Sequence, residues 1–329
     1  MQAAGDPIDE STPVRVNEKI FISVMRGTVR IVASPGQTLR VQGRLDERME
    51  SYRLASENGF TQFEIALPRS INTRRAASAG EGADLLIEVP PDSDIEFKGD
   101  STAVSFRGIT GGIKASTQSG SMQLEAIDGV VRLVTREGNI QSQNNSGRLI
   151  ATTTTGTIVD NGSRGRMQLS TNEGRISLNS QAEQVALTTE SGRIEGSLTG
   201  LQELDLDVGD GSAVLRIGET TAPRIHGSSY RGDIRLGLDA GVNARFSLFA
   251  NVDAEIVNRF SDDQPRVDNV GGLQQLSFIR RRQLEQGIGV APGTGSRSGP
   301  QRLNFIQGQG AGMVDLDTVS GSLTLEPAR

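Results

Sequence analysis

The chain has 329 residues, with 34 lysines and arginines against 40 acidic residues, a formal charge of −6, 40 glycines, 4 % aromatic residues and neither cysteine nor tryptophan. That length can bury a substantial core without metal or disulfide staples. The lack of cysteine excludes disulfide frameworks, iron–sulfur clusters and cysteine nucleophiles. The single histidine, His226, argues against multi-histidine metal sites and serine-protease-type triads, and the acidic balance argues against a nucleic-acid partner.

No apolar run reaches the roughly 20 residues of a membrane-spanning helix, and Met1 to Asp6 lacks the charged and apolar parts of a signal peptide. A soluble chain without a transmembrane segment is expected. Residues 1–13 read as a flexible N-terminal segment. Residues 14–325 read as one domain that begins with alternating strands over 20–24, 28–32, 39–41, 60–67 and 85–89, the last stopped by Pro90 and Pro91. Between them 74–83, rich in Ala, Gly and Ser, reads as a loop.

A repeat then takes over. Marker positions nine residues apart are glycine at Gly111, Gly120, Gly129, Gly138, Gly147, Gly156, Gly165, Gly174 and Gly192, with Glu183 taking the expected place between the last two. Two residues after each marker comes an aliphatic side chain, in the series Ile113, Met122, Val131, Ile140, Leu149, Ile158, Met167, Ile176, Val185 and Ile194. The position four after the marker is mostly apolar and the odd offsets are mostly polar, which is strand alternation nested within the longer period. Thr117, Thr135, Thr153, Thr171 and Thr189 recur every eighteen residues, three before a glycine. One coil therefore contains two short strands and two turns. The fold class is all-β, a single-stranded parallel β-helix or β-solenoid with eighteen-residue coils, and the crossover rule for parallel strands makes it right-handed. The corners lack the Gly-Gly-x-Gly-x-Asp pattern of calcium-binding rolls, so no calcium ladder is expected.

Beyond residue 200 the period widens, with rungs over 205–215 and 229–236. An inserted loop is expected at about 261–308, followed by a closing rung over 313–325 and a tail at 326–329. The chain carries Leu85-Leu86-Ile87-Glu88-Val89-Pro90, the Thr-x-Ser-Gly corners at Thr117, Thr189 and Thr318, and Gly232-Asp233-Ile234-Arg235-Leu236 followed by Ala244-Arg245-Phe246-Ser247-Leu248. In this the chain resembles the bacterial "putative adhesin" family, with its auto-transporter-adhesin-like head domains, over about 14–325. The resemblance implies a right-handed β-helix, export to the periplasm, outer membrane or cell surface, and no catalytic residues.

Each candidate for chemistry has a plainer reading beside it. The threonine column is placed by its phase on the inner side of a corner, where its hydroxyls would bond turn backbone rather than face a ligand. Asp205, Asp207 and Asp210, and also Asp315 with Asp317, read as carboxylate pairs for a cation or for glycoside hydrolysis, or more simply as a solvated face. His226 reads as an acid or base, or as a surface residue. Arg280, Arg281 and Arg282 form the sharpest cationic run, suited to an anionic partner or merely to solvent. Gln123, Asn139, Gln141 and Gln143 offer a polar binding face for sugars or protein. The reading is a non-enzymatic adhesion or scaffold module that contacts protein or cell-surface glycan, with no cofactor, no metal and no catalytic residue. The alternatives are a polysaccharide-active β-helix enzyme and a self-assembling structural solenoid.

Overall fold

A computed structural model describes residues 5–71, 73, 81–267 and 299–328. In it the nine-residue glycine spacing is a matter of backbone contact. A Cβ on Gly138 would lie 2.0 Å from the carbonyl oxygen of Gly120, one on Gly156 1.9 Å from that of Gly138, and one on Gly174 1.8 Å from that of Gly156. At the other corner, Cβ atoms on Gly129, Gly147 and Gly165 would lie 2.3, 2.4 and 2.3 Å from the carbonyl oxygen of the glycine one coil earlier. Both corners thus run glycine on glycine, since a side chain there would hold the coils beyond their roughly 4.8 Å parallel spacing.

Among the described residues every regular element is a β-strand, and the ladders between successive coils are parallel. The chain is an all-β solenoid. It divides into two compact units, residues 1–180 and 181–329. In the first, Ile113 stacks on Val131, Val131 on Leu149 and Leu149 on Met167, while Met122 stacks on Ile140 and Ile140 on Ile158. All seven are buried, as the aliphatic column requires. A neighbouring column runs Phe63, Ile22, Phe97, Ala115, Leu133, Ala151, Leu169, so the bulk of Phe97 is answered by Ala115 beside it.

The threonine column faces inward as its phase demands. Thr117, Thr135, Thr153, Thr171 and Thr189 are all buried. The backbone N–H of Gly156 donates to Thr153 Oγ1 at 3.1 Å, and the same bond recurs from Gly138 to Thr135, Gly174 to Thr171 and Gly192 to Thr189. The Thr153 hydroxyl in turn donates to the carbonyl of Gly138 at 3.2 Å, tying one coil to the next. In these four corners the hydroxyl satisfies a turn N–H that burial would otherwise leave orphaned, while the Thr117 hydroxyl donates to the Gly120 carbonyl at 3.1 Å.

The first unit is closed by strands that break sequence order. Lys19–Ser23 and Arg26–Ala33 form a coil that lies between the coil of Asp94–Lys98 and Ser101–Arg107 on one side and Phe60–Ala66 with Ala83–Val89 on the other. Antiparallel strands finish the edge: Thr38–Arg44 pairs with Ala83–Val89, Ser51–Glu57 with Phe60–Ala66, and Pro7–Pro13 with Thr38–Arg44. The expectation of a flexible segment over 1–13 is corrected at this point. Pro7–Pro13 is a paired strand with Ile8 buried, because Thr38–Arg44 would otherwise present an open edge. Buried Arg26 binds this closure together, donating through Nε to Asp46 at 2.6 Å and through Nη2 to Glu47, whose other oxygen accepts from the N–H of Gly82.

The second unit repeats the device. Val185, Leu204, Ile225, Val314 and Phe246 form one buried stack, and Ile194, Ala213, Ile234, Leu323 and Ile256 another. The C-terminal strand Gly312–Pro327 therefore lies between the coil of Arg224–Ser229 with Asp233–Leu238 and the strand Ala244–Asn258. It is a rung, as its pattern predicts, but an interposed rung rather than the closing one. Closure falls to Gln301–Gln307, antiparallel to Ala244–Asn258, with Phe305 stacked on Phe246 at 4.3 Å between ring centres. The loop expected to run to 308 gives way there to a strand, since Leu303 and Phe305 alternate inward over the last apolar stack.

Candidate functional site

On the outer side of the first unit, the register sets side chains of successive coils side by side. One column runs Arg30, Ser105, Gln123, Gln141, Val159, and the next runs Val32, Arg107, Glu125, Gln143, Asn161. These two columns line an open trough of about 460 Å³. Just past it the chain turns through left-handed residues at one position per coil, Gly108, Ala126, Asn144 and Gly162, with φ between 52° and 72°. The same bend, repeated every eighteen residues, keeps the two columns aligned.

Charges in the trough are already matched. Arg107 Nη2 lies 3.2 Å from Glu125 Oε1, and Arg30 Nη2 donates to Asp84 at 3.0 Å. What remains for a ligand is an array of amides, each with a donor and an acceptor end. Behind it sits a buried polar net. Asp160, wholly buried, accepts from Ser142 and Ser163 at 2.5 Å each and from Ser180; Asn145 donates to Ser142 at 2.7 Å and accepts from the N–H of Ile127 at 2.8 Å. Every donor in this net has an acceptor, so it braces the trough rather than leaving it pliant.

Of the polar face read from the sequence, the structure brings Gln123, Gln141 and Gln143 together in the trough. Asn139 stands outside it at the preceding turn, where its side-chain oxygen accepts from the N–H of Thr157 at 2.9 Å. Arg280, Arg281 and Arg282 lie outside the described residues.

A family profile described as Toastrack DUF4097 matches residues 17–250. The chain belongs to the Toastrack family. This agrees with the adhesin-type resemblance carried by the Thr-x-Ser-Gly corners. Two solved structures align with this Toastrack chain: a "putative adhesin" from Bacteroides fragilis, 16% identical, covering 72% of this chain and 99% of that one at a TM-score of 0.39, and a "putative cell adhesion protein" from Clostridium sporogenes, 7% identical, covering 98% and 100% at 0.21. Similarity that weak supports no argument about ligand or mechanism. No curated protein matches the sequence.

The second unit of the Toastrack chain holds a titratable cluster that local sequence reading leaves in pieces. Asp205, His226 and Asp315 are aligned on successive strands, as are Asp207, Ser228 and Asp317. His226 Nδ1 lies 3.7 Å from Asp315 Oδ2. The Asp315 carboxylate raises the imidazole above its ordinary value against the effect of burial, with Asp317 and Asp205 adding to the rise. Burial pushes Asp317 up to about 6; His226 opposes that shift, and Asp315 and Asp207 add to it. Asp317 therefore changes charge closer to neutrality than an ordinary carboxyl, and His226 holds its proton to higher pH than an ordinary imidazole. Among the described residues no group of three or more His, Asp or Glu is arranged to hold a metal ion.

The buried Asp160 net escapes sequence reading altogether. Its signal is present, since Ser142 and Asp160 interrupt the offset-four column that is otherwise aliphatic at Leu124 and Leu178.

Proposed function

We propose that this Toastrack chain is a non-enzymatic adhesion or scaffold module acting outside the cytoplasm, and that the trough of Gln123, Gln141 and Gln143 holds an uncharged, hydroxyl-rich chain of the kind found in cell-surface glycans. The observation that carries this is the alignment of amides from neighbouring coils beside charges that are already paired. Hydroxyls both donate and accept, as amides do, and a polymer gains contact with each further rung of an extended face. Export follows from the family resemblance.

A polysaccharide-cleaving enzyme calls for two carboxylates flanking the scissile bond. Among the described residues Glu125 is the one carboxylate lining the trough, and it is occupied by Arg107. A self-assembling solenoid calls for open terminal strands, whereas the outer strand Pro7–Pro13 has a proline at each end that cannot donate to a ladder.

The test is a panel of neutral glycans probed with the wild type and with a Gln123→Ala, Gln141→Ala, Gln143→Ala triple variant. At least a tenfold loss of binding at an unchanged thermal midpoint is expected. Equal binding by both proteins, no binding by the wild type, or cleavage of the bound glycan would overturn the reading.

A further inference from the structure

The other sheet of the first unit carries a charge pattern with no internal explanation. On the outer face of Ile113–Thr117, Asp128–Thr135, Ser146–Thr153 and residues 166–170, each rung contributes one cation: Lys114, Arg132, Arg148 and Arg166, all exposed. Lys114 is directly beside Arg132 on the neighbouring strand, and Arg148 is directly beside Arg166. Like charges in such register repel, and folded sheets ordinarily set an acid between them. Here Glu96 reaches Lys114 at 3.1 Å from the rung on the other side, and Asp128 accepts from Ser146 Oγ. Among the described residues, Arg132, Arg148 and Arg166 have no acidic partner. This cationic concentration sits in a chain whose net charge is −6.

The order of the cations gives the ligand its shape. Register places Arg132 beside Ile150 and Val130 beside Arg148, so the line steps sideways once between the second and third rungs and crosses the face diagonally. Three rung spacings span roughly 14 Å. Of the remaining outward positions, Ser116, Thr152, Gln168 and Ser170 are uncharged hydrogen-bonding groups, the acid Asp128 lies at the start of its strand beside Ser146, and Val130, Val134 and the half-buried Ile150 are apolar. We infer that this face binds a linear acidic polysaccharide, its carboxylates lying along Lys114, Arg132, Arg148 and Arg166 and its hydroxyls meeting Ser116, Thr152 and Gln168. The inference does not depend on the amide trough, which is lined by different residues and suits an uncharged chain. A duplex nucleic acid fits less well, because four cations within a net-acidic chain release few counterions. A membrane fits less well because the apolar side chains of this face, Val130, Ile150 and Val134, are few and interleaved with the cations.

The test uses polygalacturonate as probe, with dextran, single-stranded DNA and phosphatidylglycerol-containing vesicles as competitors, on the wild type and an Arg132→Gln, Arg148→Gln, Arg166→Gln triple variant. Expected are wild-type binding that weakens with added salt, at least a tenfold loss in the triple variant, and a thermal midpoint at or above that of the wild type, because repulsion has been removed. If the triple variant folds poorly, the single variants Arg132→Gln and Arg166→Gln read the same loss in smaller steps. No binding to polygalacturonate, equal binding by wild type and variants, competition by neutral dextran, or preference for DNA or vesicles overturns the inference. Loss of neutral-glycan binding by the trough variant leaves this result untouched, so the two claims fail separately.

Discussion

Replacing Thr153 by valine keeps the β-branched shape and removes only the hydroxyl. Thr153 is wholly buried, its Oγ1 accepts from the N–H of Gly156 at 3.1 Å, and its proton goes to the Gly138 carbonyl at 3.2 Å. Since valine fills the same volume, the cavity contribution is small and the loss is that of two polar groups left without a partner. A buried N–H stranded in this way costs about 1–3 kcal/mol, and the carbonyl, which has a second lone pair, costs less. The gain from exchanging a hydroxyl for a methyl offsets under about 1 kcal/mol. A net loss of about 1–3 kcal/mol follows, which lowers the thermal midpoint by roughly 3–10 °C in a domain of this size. Far-ultraviolet circular dichroism is the appropriate readout, because the chain has no tryptophan and only two tyrosines. The neighbouring, exposed Thr155 supplies the control, and Thr155→Val should change stability by no more than about 0.5 kcal/mol. Equal midpoints for Thr153→Val and wild type would refute the inward corner, and so would an equal loss in both variants.

Gly156→Ala should cost more than a glycine-to-alanine change in an open turn, because its Cβ would lie 1.9 Å from the Gly138 carbonyl oxygen; urea unfolding that matches the same change at Gly241, where a Cβ meets nothing, would contradict the contact. Asp317 tests the pH dependence. Its carboxyl is raised from 3.8 to about 6 on folding, so the folded state holds the proton more tightly than the unfolded state and stability is lost as pH rises through that interval, by up to about 3 kcal/mol. The raised imidazole of His226 acts in the same sense, stabilising below its unfolded value and ceasing to do so as pH rises through its folded value. Asp317→Asn should accordingly raise the unfolding midpoint at pH 8 and leave it little changed near pH 4; a variant no more stable than wild type at pH 8 would count against the assignment.

What could be read in advance was what repeats. The two glycine columns, the aliphatic pairs such as Ile140 with Ile158, and the threonine corners each recur at a fixed interval, and in a solenoid a fixed interval is a spatial neighbour. The amides followed for the same reason, since Gln123 and Gln141 are one coil apart. Asn139 was misplaced because side-chain type and period do not distinguish the end of a turn from the strand that follows it. Elements that occur once were not legible. Pro7–Pro13 and Gln301–Gln307 lack the period because each pairs antiparallel with its neighbouring strand instead of stacking in parallel on a coil. The position of Gly312–Pro327 depends on pairing with strands far away in sequence, which no local pattern encodes. The His226 cluster inherits that difficulty, because Asp315 meets His226 only once the C-terminal strand is known to lie beside Arg224–Ser229.

Cysteine pairs put the register itself to the test, and a chain without native cysteine makes any disulfide unambiguous. Gln123 and Gln141 are ladder partners on adjacent parallel strands, with α-carbons roughly 4.8 Å apart and within disulfide range, whereas Gln123 and Gln143 lie on a diagonal of roughly 8 Å, beyond it. Under mild oxidation the Gln123→Cys, Gln141→Cys protein should close its disulfide in high yield while folded, as read by mass spectrometry, and the Gln123→Cys, Gln143→Cys protein should not. Bridging of the diagonal pair in place of the ladder pair would contradict the eighteen-residue register on which the trough and the cationic face both rest.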